Sequence, residues 1–181
     1  MTKYLAPLIV LIVAAAVAAT YLAHRTAGTA PSDAATTTPY MVPALSQSYE
    51  NSTYGFSLKM PADFSAQEGQ DANGNTTVTL QNQSGDGVQI LISPFDEDTG
   101  SGYTLTKDRI LQDIPDLTIT DEQSVEIGAH YEGLAFKSDN AAFGGASREV
   151  WFVFRGNLYQ ISTYERLDPL LQSIFKTWQF N

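Results

Sequence analysis

Val150-Trp-Phe-Val-Phe154 sets five large apolar side chains in direct succession. Side chains on a strand alternate between faces, so a run without polar alternation reads as a strand covered on both sides. Gly156-Asn157 follows as a turn, and Leu158 to Tyr164 returns as the second strand of a hairpin. Asp168-Pro169 then reads as an N-cap and first helical residue. Leu167, Leu170, Leu171, Ile174, Phe175 and Trp178 form the apolar stripe of a closing helix and its exit. The ribbon around Trp151 is thus expected between that terminal helix and a second covering layer.

Upstream, Phe56, Leu58 and Met60 alternate with polar neighbours, a half-buried strand stopped by Pro61. Val78 and Leu80 mark a second strand, entered through the turn-rich Asp71-Ala-Asn-Gly-Asn75. Val88 to Ile92 make a third after Ser84-Gly-Asp-Gly87. Between Thr106 and Ile114 the spacing turns helical: Leu105, Ile110, Leu111 and Ile114 share a face, and Pro115 ends it. Strands resume at Leu117 to Thr120, Val125 to Ile127 and Tyr131 to Lys137. Sequential strands with two good helices predict an α+β fold, an antiparallel sheet flanked by helices.

The 181 residues include no Cys, which excludes disulfides, thiolate metal sites and a Cys nucleophile. Residues 4–23 form a run of 20 without a charge, flanked by Lys3 and by His24-Arg25. A helix of that length spans roughly 30 Å, the hydrocarbon thickness of a bilayer. Residues 1–25 therefore read as one N-terminal transmembrane anchor. Ala14-Ala15-Ala16 offers the alternative of a cleaved signal peptide, but the apolar run continues beyond it to Ala23. Either reading puts the remainder outside the cytoplasm, on the cell membrane or secreted.

Residues 26–47 are rich in Thr, Ala and Pro with one charge, Asp33, and read as a flexible linker. The tether reaches roughly 25 Å root-mean-square. Residues 48–181 remain as one folded domain. From Tyr40 onward there are eight basic and nineteen acidic side chains, a net of −11, so the whole chain's charge of −10 arises almost wholly in the folded part. Such a balance argues against nucleic acid, whose binding needs clustered Lys and Arg.

Two segments carry a family resemblance. Tyr54-Gly-Phe-Ser-Leu-Lys-Met-Pro61 followed by Phe64 is similar to the opening of PsbP-like domains. Leu158 to Tyr164, with the helix and exit from Leu170 to Phe180, resembles that family's ending. The resemblance covers about residues 48–181. It implies an α/β/α sandwich and an exported location, since photosynthetic members are extrinsic lumenal subunits that support the manganese–calcium cluster of photosystem II. It also implies a scaffold used for binding and assembly rather than for one reaction, so no enzyme activity is expected.

The candidate chemistry is sparse. His130, in Gly128-Ala-His-Tyr131, has no Gly-x-Ser-x-Gly elbow to serve and reads as an exposed histidine at a turn. Asp96, Glu97 and Asp98 place three carboxylates in the loop ending at Gly102, hard oxygen ligands suited to Ca²⁺ or Mn²⁺. The loop lacks the EF-hand register, so a solvated acidic loop is the plainer reading. Arg148, Arg155 and Arg166 read as isolated surface or sheet-pairing charges, and Gly144-Gly145 as a hairpin loop. Asn51, Asn75 and Asn82 head glycosylation-type triplets and read as turn residues. Tyr103, Tyr131 and Phe143 sit at predicted loop edges, where aromatics could form a patch for a partner, another envelope protein.

The anchor reading has a direct consequence. The intact chain should stay in the membrane fraction through a carbonate wash; recovery as a soluble chain beginning near Val17 would remove the anchor.

Overall fold

In the computed structural model the described residues are 40–95, 103–128, 131–140 and 143–181. The membrane-segment reading, the linker up to residue 39, the Asp96–Asp98 loop and His130 lie outside them. The strands are β1 (Leu45–Asn51), β2 (Phe56–Pro61), β3 (Ser65–Gln70), β4 (Thr76–Gln81) and β5 (Gly87–Pro94). Helix α1 (Lys107–Asp113) precedes β6 (Thr120–Ile127), β7 (Tyr131–Ser138), β8 (Ser147–Phe154) and β9 (Asn157–Tyr164). A 3₁₀ turn (Glu165–Leu167), helix α2 (Asp168–Phe175) and the short β10 (Gln179–Phe180) complete the chain.

Seven strands form one antiparallel sheet in the order β3-β4-β5-β9-β8-β7-β6, and three form a second in the order β1-β2-β10. The Trp151 ribbon lies inside the large sheet and divides its side chains as its sequence requires. Val150, Phe152 and Phe154 join a core that includes Phe56, Leu58 and Met60 of β2 with Leu170, Ile174 and Trp178. Trp151 turns the other way, into a smaller core with Phe136, Ile110, Ile119 and Leu158. Each buried side chain of this kind contributes about 1.5–3 kcal/mol.

The first face is closed by the small sheet together with α2, so it is not a purely helical layer. The expected antiparallel sheet flanked by helices is present in part: the fold is mostly β with two sheets, and a second sheet shares the cover on this face. The physical reason lies in β2: Phe56, Leu58 and Met60 are almost fully buried, and their alternation makes a sheet the cover. The second face is closed by α1 and the chain around it. Thr106 caps α1, its Oγ1 accepting from Arg109 N at 3.2 Å, and Ile110 is buried beneath it.

Several boundaries differ from the sequence reading. Tyr40, Val42 and Leu45 pack on the main core and the compact unit starts at Tyr40, so residues 40–47 are folded rather than linker. Leu117 and Ile119 pack below α1 ahead of the strand, which begins only at Thr120. Asp168 is the first residue of α2 and Leu167 occupies the N-cap position, because the Asp168 carboxylate is held by Arg148 and Gln172. The β8–β9 turn centres on Arg155 and Gly156, at φ 48° and 70°, one residue before the expected pair. Positive φ at both central positions is the geometry whose twist matches a two-residue hairpin.

Both ends of the unit meet in one aromatic cluster. Trp178 is 2% exposed and stacks on Phe56 at 4.6 Å between centroids. Phe180 lies 3.9 Å from Phe154, and Phe152 stacks on Tyr159 at 4.8 Å. Gly128 permits the close approach: it holds φ +60°, and a Cβ there would stand 2.7 Å from the Trp178 carbonyl oxygen.

Trp178→Ala should therefore lower the unfolding free energy by about 3–5 kcal/mol, a large share of a typical domain's about 5–15. Trp178→Phe should cost clearly less, since it keeps the stacked ring and removes an indole N–H that has no hydrogen-bond partner. Urea unfolding of the two variants checks this; equal costs would place the stability elsewhere.

Candidate functional site

Arg148 and Glu149 are neighbours on β8, both buried, at 5% and 2% exposure. Strand alternation sends them to opposite faces. Two adjacent charges are thereby buried back to back through one sheet, each with its own partners.

Arg148 faces α2. Its Nε donates to Asp168 Oδ1 at 3.2 Å, and Asp168 Oδ2 accepts from Gln172 Nε2 at 2.9 Å. The guanidinium lines a cleft of about 350 Å³ between α2 and strands β6 to β8. Val125, Val150, Leu171 and Phe175 supply apolar wall, while Gln172 and Lys176 are among its polar lining. Beside the cleft, Lys137 stands opposite Arg148 in the β7–β8 register. Two like charges at such a position repel. Acids answer them: Lys137 Nζ lies 2.8 Å from Asp121 Oδ2 and 2.9 Å from Glu165 Oε1. These contacts hold the Lys137 amine above its ordinary range, and Asp121 reaches its place with φ at 52°.

Glu149 faces the α1 side. Ser147 Oγ donates to its Oε1 at 2.8 Å and Asn140 Nδ2 at 3.3 Å. Trp151 Nε1 donates to Oε2 at 3.3 Å, and Ser162 Oγ donates to the same oxygen. No cation pairs with it among the described residues. Burial pushes this carboxyl above the usual carboxylate range, against the four donated hydrogen bonds. The carboxylate ties Ser147, Trp151, Ser162 and the β7–β8 loop together.

The aromatic residues read as a partner patch do not converge. Tyr103 is half-buried beside Phe95 at 5.8 Å in the α1-side core. Tyr131 packs against the opposite core, 4.8 Å from Phe154 and 4.7 Å from Phe180. Phe143 meets Tyr164 edge-on at 5.2 Å. Among the three, Tyr103 and Tyr131 occupy different faces of the large sheet.

Asn75 and Asn82 serve turns, Asn75 bonding Asp71 and Asn82 Oδ1 accepting from the backbone of Ser84 and Asp86. Asn51 also serves a turn, its Oδ1 accepting from Tyr54 N at 3.0 Å, while being buried at the end of β1. Arg155 and Arg166 are exposed, as read from the sequence. Arg148 is not a surface charge, and the cleft it lines was missed. The signal available was a charged pair, Arg148-Glu149, placed directly before an all-apolar strand.

The raised Glu149 value has a definite sign. Its contribution to stability is full below the unfolded value of 4.5 and is lost as pH rises through the folded one. Glu149→Gln, neutral throughout, should gain on the parent as pH rises from about 4 to 8, by about 1.4 kcal/mol per unit of displacement. Urea unfolding across that range tests it; a gap that stays constant with pH would show an unperturbed carboxyl.

No protein-family model matches the chain, and no curated protein matches it. Solved structures do. The cyanobacterial PsbP (CyanoP) of Synechocystis sp. PCC 6803 superposes with a TM-score of 0.51 at 12% identity, over 75% of this chain and 92% of that one. A protein from Bacteroides thetaiotaomicron matches with a TM-score of 0.45 at 13% identity, over 76% of this chain and 49% of its own. The likeness to CyanoP is one of fold. The unit from Tyr40 to Asn181 thus has a PsbP-like fold, the arrangement that the motifs around Tyr54 and Leu158 led us to expect.

Proposed function

We propose that this chain is a non-enzymatic binding and assembly module held outside the cytoplasm by residues 4–23, with another envelope protein as its partner. A PsbP-like scaffold hosts binding roles, and function resides in the site it carries. The observation that carries the reading is the cleft between α2 and β6 to β8. It combines apolar wall with a guanidinium that is 6% exposed at the side chain. Concave surfaces of this mixed character suit recognition. The excess of nineteen acidic over eight basic side chains from Tyr40 onward keeps the domain off anionic surfaces and selects partners by charge.

A photo-crosslinking residue at Gln172, inside the cleft, should capture one defined envelope protein from cells expressing the full chain. The same residue at Asn73, in the exposed β3–β4 turn, should not. Equal capture from both positions, or none from Gln172, would overturn the assembly role.

A further inference from the structure

We propose that the Arg148 cleft is a binding site for a monocarboxylate with a short aliphatic body. The inference deepens the binding role above, and its test does not depend on any protein partner being found.

The first observation is an incomplete guanidinium. Arginine carries five N–H donors in a planar fork. Arg148 uses Nε toward Asp168, while its terminal amino groups make no hydrogen bond with any described residue. The side chain is 6% exposed, and the space it borders is the cleft. The terminal nitrogens are not among the buried side-chain atoms that lack a partner, so they open to the cleft rather than being sealed in the core. A carboxylate entering there exchanges solvent for charge-assisted hydrogen bonds.

The second observation is the shape and chemistry of the surrounding wall. A carboxylate accepts two parallel bonds from the free edge of a guanidinium. Asp168 keeps the fork oriented from the Nε side, so the terminal amino groups are held ready. Leu171, Phe175, Val125 and Val150 then offer apolar contact for a hydrocarbon portion. Gln172 adds amide donors and acceptors, and Lys176 adds a second cation to the lining.

Charge decides between a carboxylate and a phosphate. Asp168 already offsets half of the Arg148 and Lys176 charge, Glu126 also lines the cleft, and the domain as a whole is acidic. A dianion meets more repulsion there than a monoanion does. A carboxylate of this kind reaches the site either as a free small acid or as the C-terminal residue of a polypeptide.

Calorimetric titration of the full chain separates these sources. The probes are 4-methylpentanoate for the free acid and N-acetyl-alanyl-leucine for a chain terminus, with the amide of each and inorganic phosphate as controls. At least one acid should bind, and its amide should bind at least about tenfold more weakly, the loss expected with the charge-assisted pair. The tighter acid identifies the source. Arg148→Lys retains the cation toward Asp168 and should weaken binding by about tenfold or more by losing the fork. Gln172→Trp should block the cleft while keeping both charged groups of the ion pair, at the loss of the Gln172 hydrogen bond to Asp168, and an unchanged melting temperature would show the fold intact. Acids that bind no better than their amides, tighter binding of phosphate, or full binding by the Gln172→Trp protein would each overturn the proposal.

Discussion

The structure depends on one constraint: β8 cannot leave either face in water. Val150, Phe152 and Phe154 commit one side of the strand, and Trp151 commits the other. A strand with this pattern belongs inside a sheet that is itself a middle layer. That requirement recruits two unlike covers. Helix α1 and its flanking loops enclose Trp151, and the small sheet with α2 encloses the rest. Neither cover is independently stable at its length: α1 has seven residues and α2 eight, well short of what persists alone in water.

The aromatic cluster converts that layering into a closed unit. Phe56 comes from the first third of the folded chain, and Trp178 and Phe180 come from its end. They meet over Phe152, Phe154 and Tyr159 in the sheet centre. Pairing of β10 with β2 fixes the backbone of the same meeting, Phe180 opposite Phe56. Stacked and edge-on rings add directional preference to burial, so the terminal segment docks in one register.

Arg148 and Glu149 show how the same strand carries polar roles without breaching the core. Alternation puts one charge on each side, so the desolvation of each is handled locally. Glu149 is surrounded by four donors from the side chains about it, an enclosed arrangement that fixes Trp151 and the β7–β8 loop. Arg148 keeps part of its hydrogen-bonding capacity open to a cleft. The enclosed side chain ties its surroundings together and the other lines a cleft, although the two differ by a single position in the chain.

What was legible in the sequence follows from how locally each signal is encoded. The two-faced ribbon, its hairpin partner, the alternating strands at Phe56, Val78 and Val88, and the helices near Ile110 and Leu170 all announce themselves through apolar period. The motifs around Tyr54 and Leu158 were enough to identify the PsbP-like arrangement. Strand β3 has six exposed residues and no period to detect; it exists because β4 offers it a hydrogen-bonding edge. Strand β1 buries only Tyr49 and Asn51, held through a hydrogen bond from the Tyr49 hydroxyl to Glu68 at 2.6 Å. The cleft was equally hidden, because Arg148 and Asp168 stand twenty residues apart and meet only after β9 and the 3₁₀ turn carry α2 back across β8. Periodicity of side chains along the backbone thus determined the layers, whereas contacts between distant segments, which leave no period, decided the edges of the sheets and the site.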